Sequence, residues 1–118
     1  MKNFLWKHKG IAVIFLLAIF FLCRNVAIHR FSTERWKRLP EKRVEMVDNL
    51  LEKYELVGMT HEEVMALLGK DTDTQYFKTE SNIVYYLGPE RGFIRIDSEW
   101  LVLDFQEDRV TEVNIRRD

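Results

Sequence analysis

The chain is 118 residues long, 47% hydrophobic and 31% charged, which leaves room for one small domain and little apolar surface to spare for a buried active site. Its formal net charge of -1 conceals two opposed parts: Met1 to Arg38 carries eight Lys and Arg against Glu34 alone, a net +7, and the remainder ten basic against eighteen acidic residues, a net -8. An acidic folded part is repelled by nucleic acid, so DNA and RNA are excluded as partners, whereas a basic segment beside an apolar run suits a lipid surface.

In chain order, Lys2, Lys7 and Lys9 precede a run from Ile11 to Cys23 that contains no charge. Its apolar residues include Ile11, Val13, Phe15, Leu17, Phe20 and Leu22, and because every face is apolar the run reads as a membrane anchor rather than a buried soluble helix. Thirteen residues of helix span only about 20 Å of a hydrocarbon core of about 30 Å, which is the length of a signal-peptide core. Cleavage chemistry opposes that alternative, since Asn25-Val26-Ala27 offers a polar residue where a small apolar one is needed. Helix continuing through Val26, Ala27 and Ile28, with Lys9 and Arg24 reaching toward headgroups and Trp6 and Trp36 in the interfacial zones, makes an uncleaved anchor the preferred reading of residues 1–30. Cys23 is the only cysteine, so no intramolecular disulfide and no cysteine metal site can form. Orientation stays open at this point. The basic residues after the run place the domain inside by count, while a short basic N-terminus ahead of an apolar run is what an exported chain presents.

Residues 31–39 read as a basic juxtamembrane linker, and the folded domain as residues 40–118. Pro40 is suited to the first turn of a helix, where its missing N–H costs nothing. Val44, Val47, Leu51 and Tyr54, with Leu50 beside them, then form one apolar face, and Arg43, Glu45, Asp48, Glu52 and Glu55 the solvated one. A second, shorter helix follows in Leu56 to Gly69, LVGMTHEEVMALLG: Thr60 and Glu63 make a capping box, Val64, Leu67 and Leu68 the apolar face, and Gly69 the stop. His61 beside Glu62 and Glu63 lacks the three- or four-residue spacing that puts metal ligands on one helix face. Asp71 and Asp73 resemble the start of a calcium loop, but Tyr76 and Asn82 stand where its Gly and Glu belong. Strands are expected at Ile83 to Leu87, Trp100 to Phe105 and Val110 to Ile115, the last two joined by a short hairpin at Gln106 to Arg109. Between the first two lies Gly88 to Glu99, either an extra strand or a binding excursion. Its Phe93, Ile94 and Ile96 are candidate partner contacts, while Asp97 and Glu99 read as a solvated turn.

The fold class expected is therefore α+β: two helices packed on a three-stranded antiparallel sheet, preceded by an N-terminal transmembrane helix. That order, with Gly58, Met59, Thr60, Glu63, Val64, Leu67, Leu68 and Gly69 on the second helix and the segments Tyr85 to Gly88 and Leu101 to Phe105, resembles the SmpA/OmlA (BamE-like) family of small envelope proteins over residues 40 to 116. The resemblance implies a non-catalytic accessory or protein-binding module outside the cytoplasm. The chain departs from the family at Cys23, which follows Phe20, Phe21 and Leu22 instead of the small residues of a lipoprotein signal. From residue 31 on, His61 is the only histidine, with no cysteine and no glycine-rich phosphate loop, so no catalytic residue, cofactor or metal is expected. The expected partners are membrane lipids around the anchor and an envelope protein; the alternative is a tethered sensor of anionic lipid or a small ligand.

Overall fold

A computed structural model describes the backbone of residues 2–118 and side chains from residue 9 onward. The side chains of Lys2, Trp6 and Lys7, given membrane-flanking roles above, lie outside the described residues. Helix α1 runs Lys2–His29. Its stretch Lys9–His29, 21 residues with none buried, is long and apolar enough to cross a membrane, since at 1.5 Å per residue it covers about 30 Å. The helix thus carries the uncharged run to spanning length, and Ile11, Val13, Phe15, Leu17, Phe20 and Leu22 all point outward from it, each at least half exposed.

The segment expected to be a linker is part of the domain. After Phe31, Ser32 caps a short helix α2, Thr33–Arg38, by accepting a hydrogen bond from the Arg35 N–H at 3.1 Å. Phe31 is 3% exposed and Trp36 fully buried; the two rings meet edge to face at 5.8 Å, and Trp36 meets Tyr85 at 6.2 Å. Trp36 is therefore a core residue and not an interfacial one. The basic residues around it conceal this in the sequence, because a six-residue helix needs only one face to be apolar.

Pro40–Lys42 form a 3-10 turn with Pro40 at its start, leading into α3, Arg43–Lys53. The buried stripe of α3 is Arg43, Met46, Val47 and Leu50, with Val44, Leu51 and Tyr54 packed partly buried at its margin, so the core face is turned toward Met46 from the expected one. Arg43, expected in solvent, is 5% exposed. It is tolerated there because its Nε donates to the Trp36 carbonyl at 2.8 Å and its Nη1 to the Tyr86 carbonyl at 3.2 Å, with the guanidinium 5.0 Å from the Trp36 ring centroid. Burial lowers its pKa from the ordinary value. Helix α4, His61–Leu68, starts at Thr60, whose Oγ1 accepts from the Glu63 N–H at 3.2 Å, and buries Val64 and Leu68. It stops at Gly69, whose φ of 74° suits glycine and whose carbonyl accepts from the Tyr85 hydroxyl at 2.8 Å.

The sheet is antiparallel in the order β1 (Asn82–Pro89), β2 (Ser98–Gln106), β3 (Arg109–Arg117). Alternation sends Ile83, Tyr85, Leu87, Leu101 and Leu103 to the helical side, where they form the main core with α2, α3 and α4. On the other face Val84, Trp100 and Val102 are sealed by Phe77 and Tyr86. Glu107 and Asp108 turn the β2–β3 hairpin with φ of 52° and 65°, the left-handed pair that matches strand twist. The Gly58 and Met59 backbone pairs with Val110, so the Gly58-Met59-Thr60 motif ties the entry of α4 to the sheet.

Candidate functional site

The connection after β1 divides into three. Gly88 and Pro89 extend β1, Ser98 and Glu99 open β2, and Glu90 to Asp97 form an excursion closed at its base by the Glu90 N–H donating to the Asp97 carbonyl at 2.8 Å. Gly88 allows the turn into it: at φ 130° a side-chain carbon would lie 2.4 Å from the Glu41 carbonyl oxygen, so the strand end presses directly on the Pro40–Lys42 turn. At the tip Phe93, Ile94 and Ile96 are 104%, 63% and 82% exposed, the largest apolar exposure in the domain outside α1.

The base of the loop is held by a carboxylate expected in solvent. Glu99 is 1% exposed, because it continues the inward alternation of Leu101 and Leu103 back by two residues. Arg91 meets it three ways: its N–H donates to Oε2 at 2.7 Å, its Nε reaches the carboxylate at 3.1 Å and its Nη2 donates to Oε1 at 2.9 Å. The remaining nitrogen, Nη1, donates to Asp48 on α3 at 2.8 Å. Burial pushes the Glu99 carboxyl up, but the hydrogen bonds and charge of Arg91, with Arg117 behind it, more than offset this and hold it below the usual carboxylate range. The hydrogen bond to Glu99 raises the Arg91 pKa. Arg91 therefore clamps the loop to β2 and α3 together. The alternation of Glu99 with Leu101 and Leu103 was legible in the sequence; the choice of Arg91 as its partner was not.

This loop stands at the end of the domain where α1 attaches. His29, the last residue of α1, lines a cleft of about 360 Å³ with Arg91, Arg95 and Asp48. The attachment itself is built rather than slack. Arg35 of α2 donates Nη1 to the carbonyls of Ala27 at 2.8 Å and Arg30 at 3.1 Å, and Nη2 to that of Ile28 at 3.3 Å, covering the unpaired end of α1 where a cation also suits the helix dipole. One residue on, the Phe31 N–H donates to Asn49 Oδ1 of α3 at 2.8 Å. On one side of α1 a cleft is lined by Glu45, Asp48 and Glu52 together with Arg30 and Lys53. On the other, a cleft of about 850 Å³ carries Arg30, Arg35 and Lys53 and, among its described lining residues, no carboxylate.

The other motif residues do structural work. Thr60 and Glu63 cap α4, Val64 and Leu68 fill the core, and His61 lies against Phe105 with ring centroids 5.7 Å apart. Among the described residues no three His, Cys, Asp or Glu side chains come together as metal ligands would. Compared with known protein families, curated proteins and solved structures, the chain matches none.

Proposed function

We propose that the chain is a non-catalytic, membrane-anchored interaction module of the cell envelope, similar in kind to the SmpA/OmlA (BamE-like) proteins, with its domain outside the cytoplasm and the 90–97 loop as its contact surface. The observation that carries this is the apolar tip of Phe93, Ile94 and Ile96 held outward on a base clamped by Arg91, Glu99 and Asp48. Evolved surfaces that expose three large apolar side chains together on a fixed support are contact surfaces, since each costs solvation until it is covered. The partner is an envelope protein of the same membrane, because the loop and the end of the anchor share one side of the domain. Placement outside the cytoplasm rests on the family resemblance. A photoreactive residue at Phe93 or Ile94, activated in native membranes, is expected to capture a protein that the same residue at Glu107, across the sheet, does not. Capture of lipid alone, or of nothing, overturns the protein partner.

The cleft of Arg30, Arg35 and Lys53 favours a second reading, an anionic-lipid sensor, at about 1 kcal/mol per cation near a charged surface. Vesicle co-sedimentation of a peptide spanning residues 24–43 that ignored lipid charge would remove it.

A further inference from the structure

We propose that the free edge of β3, Glu112 to Arg117, docks an extended segment of the partner protein as a fourth strand, with apolar side chains over Val113 and Ile115 and a carboxylate beside Arg116. This rests on the reading of the chain as an interaction module and adds how it holds its partner.

Antiparallel pairing turns the N–H and C=O of every second residue of an edge strand outward. On β1 the fold closes that edge. Lys78 Nζ donates to the Asn82 carbonyl, the Thr72 N–H to the Val84 carbonyl at 2.8 Å, the Tyr86 N–H to Thr72 Oγ1 at 2.8 Å, and Arg43 Nη1 to the Tyr86 carbonyl. On β3 the closure stops early. The Val110 N–H donates to the Met59 carbonyl at 2.9 Å and its carbonyl accepts from the Gly58 N–H at 2.8 Å, so both groups face away from β2. Phe105 stands opposite Val110 and Asp104 opposite Glu112, which puts one extra residue on β3 and resets the alternation. Val113, Ile115 and Arg117 therefore face outward, and among the described residues nothing bonds to their backbone groups.

The side chains along this edge say what fits it. Val113 and Ile115 lie half-buried at the margin of the main core, opposite Leu103 and Leu101, so an incoming strand that is apolar at alternate positions extends that core. The stretch holds no proline, and its bulge lies before it; its charges Glu112, Arg116 and Arg117 are what restrict it, opposing a strand of like charge and admitting one that matches. Arg116 is exposed on the outer face with its guanidinium 4.9 Å from the Phe77 ring centroid, and a carboxylate across from it supplies the match. The edge ends at the base of the 90–97 loop, where Arg117 Nη1 lies 3.7 Å from Glu90 Oε2, so one partner reaches both.

The test uses the nitrogen-15-labelled full chain in a phosphatidylcholine nanodisc and a short capped peptide in which valine alternates with threonine and glutamate. Amide exchange at Val113, Ile115 and Arg117 is expected to slow several-fold with peptide, while that at Asn114 and Arg116, which face β2, stays unchanged. Lysine in place of glutamate is expected to weaken the effect, and Arg116→Glu to reverse that preference. No slowing at millimolar peptide, or slowing indifferent to charge, overturns the proposal. So does slowing without peptide that grows with chain concentration, which marks a second copy on the edge. In native membranes Arg117→Pro removes one outward N–H and leaves the β2 ladder intact, and is expected to reduce capture by a photoreactive residue at Phe93 several-fold; Arg117→Ala, which keeps the N–H, is not. Capture undiminished by the proline overturns the docking strand and leaves the loop contact standing. If the parent chain captures no protein, the module reading falls and the docking strand with it.

Discussion

Replacing Arg91 by Ala exposes what the clamp contributes, and its signature lies in pH as much as in magnitude. The substitution removes the guanidinium from Glu99 and Asp48 but leaves the residue 91 N–H on Glu99 Oε2. The Asp48 contact contributes little, because that side chain is 70% exposed. Glu99, at 1% exposure, would be left charged with one hydrogen bond. Stripping the partner from a fully buried ion pair costs 3–5 kcal/mol, and because Arg91 is itself 38% exposed, solvent screening reduces the expected loss at pH 7 to about 2–3 kcal/mol.

In the unaltered chain the folded-state pKa of Glu99 lies below its unfolded value, so its contribution is present above about pH 4.5 and is lost as pH falls through the folded pKa. Without Arg91, burial becomes the dominant influence and raises that pKa above the unfolded value; the contribution is then full at low pH and lost as pH rises. The stability gap between variant and parent should therefore narrow as pH falls from 7 toward 4. Guanidinium unfolding of the full chain in mild detergent, followed by tryptophan fluorescence from pH 4 to 8, measures it. A gap that is constant with pH, or that widens on acidification, refutes the clamp as described. Adding Glu99→Gln to Arg91→Ala is expected to restore about 1 kcal/mol at pH 7 by removing the stranded charge.

Trp36→Ala is expected to cost about 3–5 kcal/mol in the same unfolding assay, a large share of the stability of so small a domain. A loss under about 0.5 kcal/mol would return residues 31–39 to the status of a linker. Gly88→Ala drives a side-chain carbon onto the Glu41 carbonyl at a φ that disfavours any side chain, and is expected to cost about 2 kcal/mol or more, read as a lowered thermal midpoint. An unchanged midpoint would mean that β1 does not press on the Pro40–Lys42 turn.

The fixed mounting bears on how the module would work. A slack linker lets a domain sample every height above a membrane, whereas Arg35 on the end of α1 and Phe31 in the core hold this one in a single pose. The loop is then held in one orientation relative to α1.

Much of the architecture is local and therefore readable from the chain alone. The uncharged run of α1, the Thr60 cap and Gly69 stop of α4, the alternation of Leu101 and Leu103 and the tight turn at Glu107 and Asp108 each depend on neighbours within a few residues, so sequence by itself determined a long apolar N-terminal helix and an α+β domain. Buried charge is different, because it is tolerated only where distant groups converge. Arg43 lies in the core by virtue of the Trp36 and Tyr86 carbonyls, Glu99 by virtue of Arg91, and Trp36 by meeting Phe31 and Tyr85. Those pairings join residues up to 49 positions apart, as Trp36 and Tyr85 are, and no local pattern specifies them. Tertiary structure alone decided that the basic stretch after α1 belongs to the domain, and that the apolar loop stands on a clamp beside the end of α1.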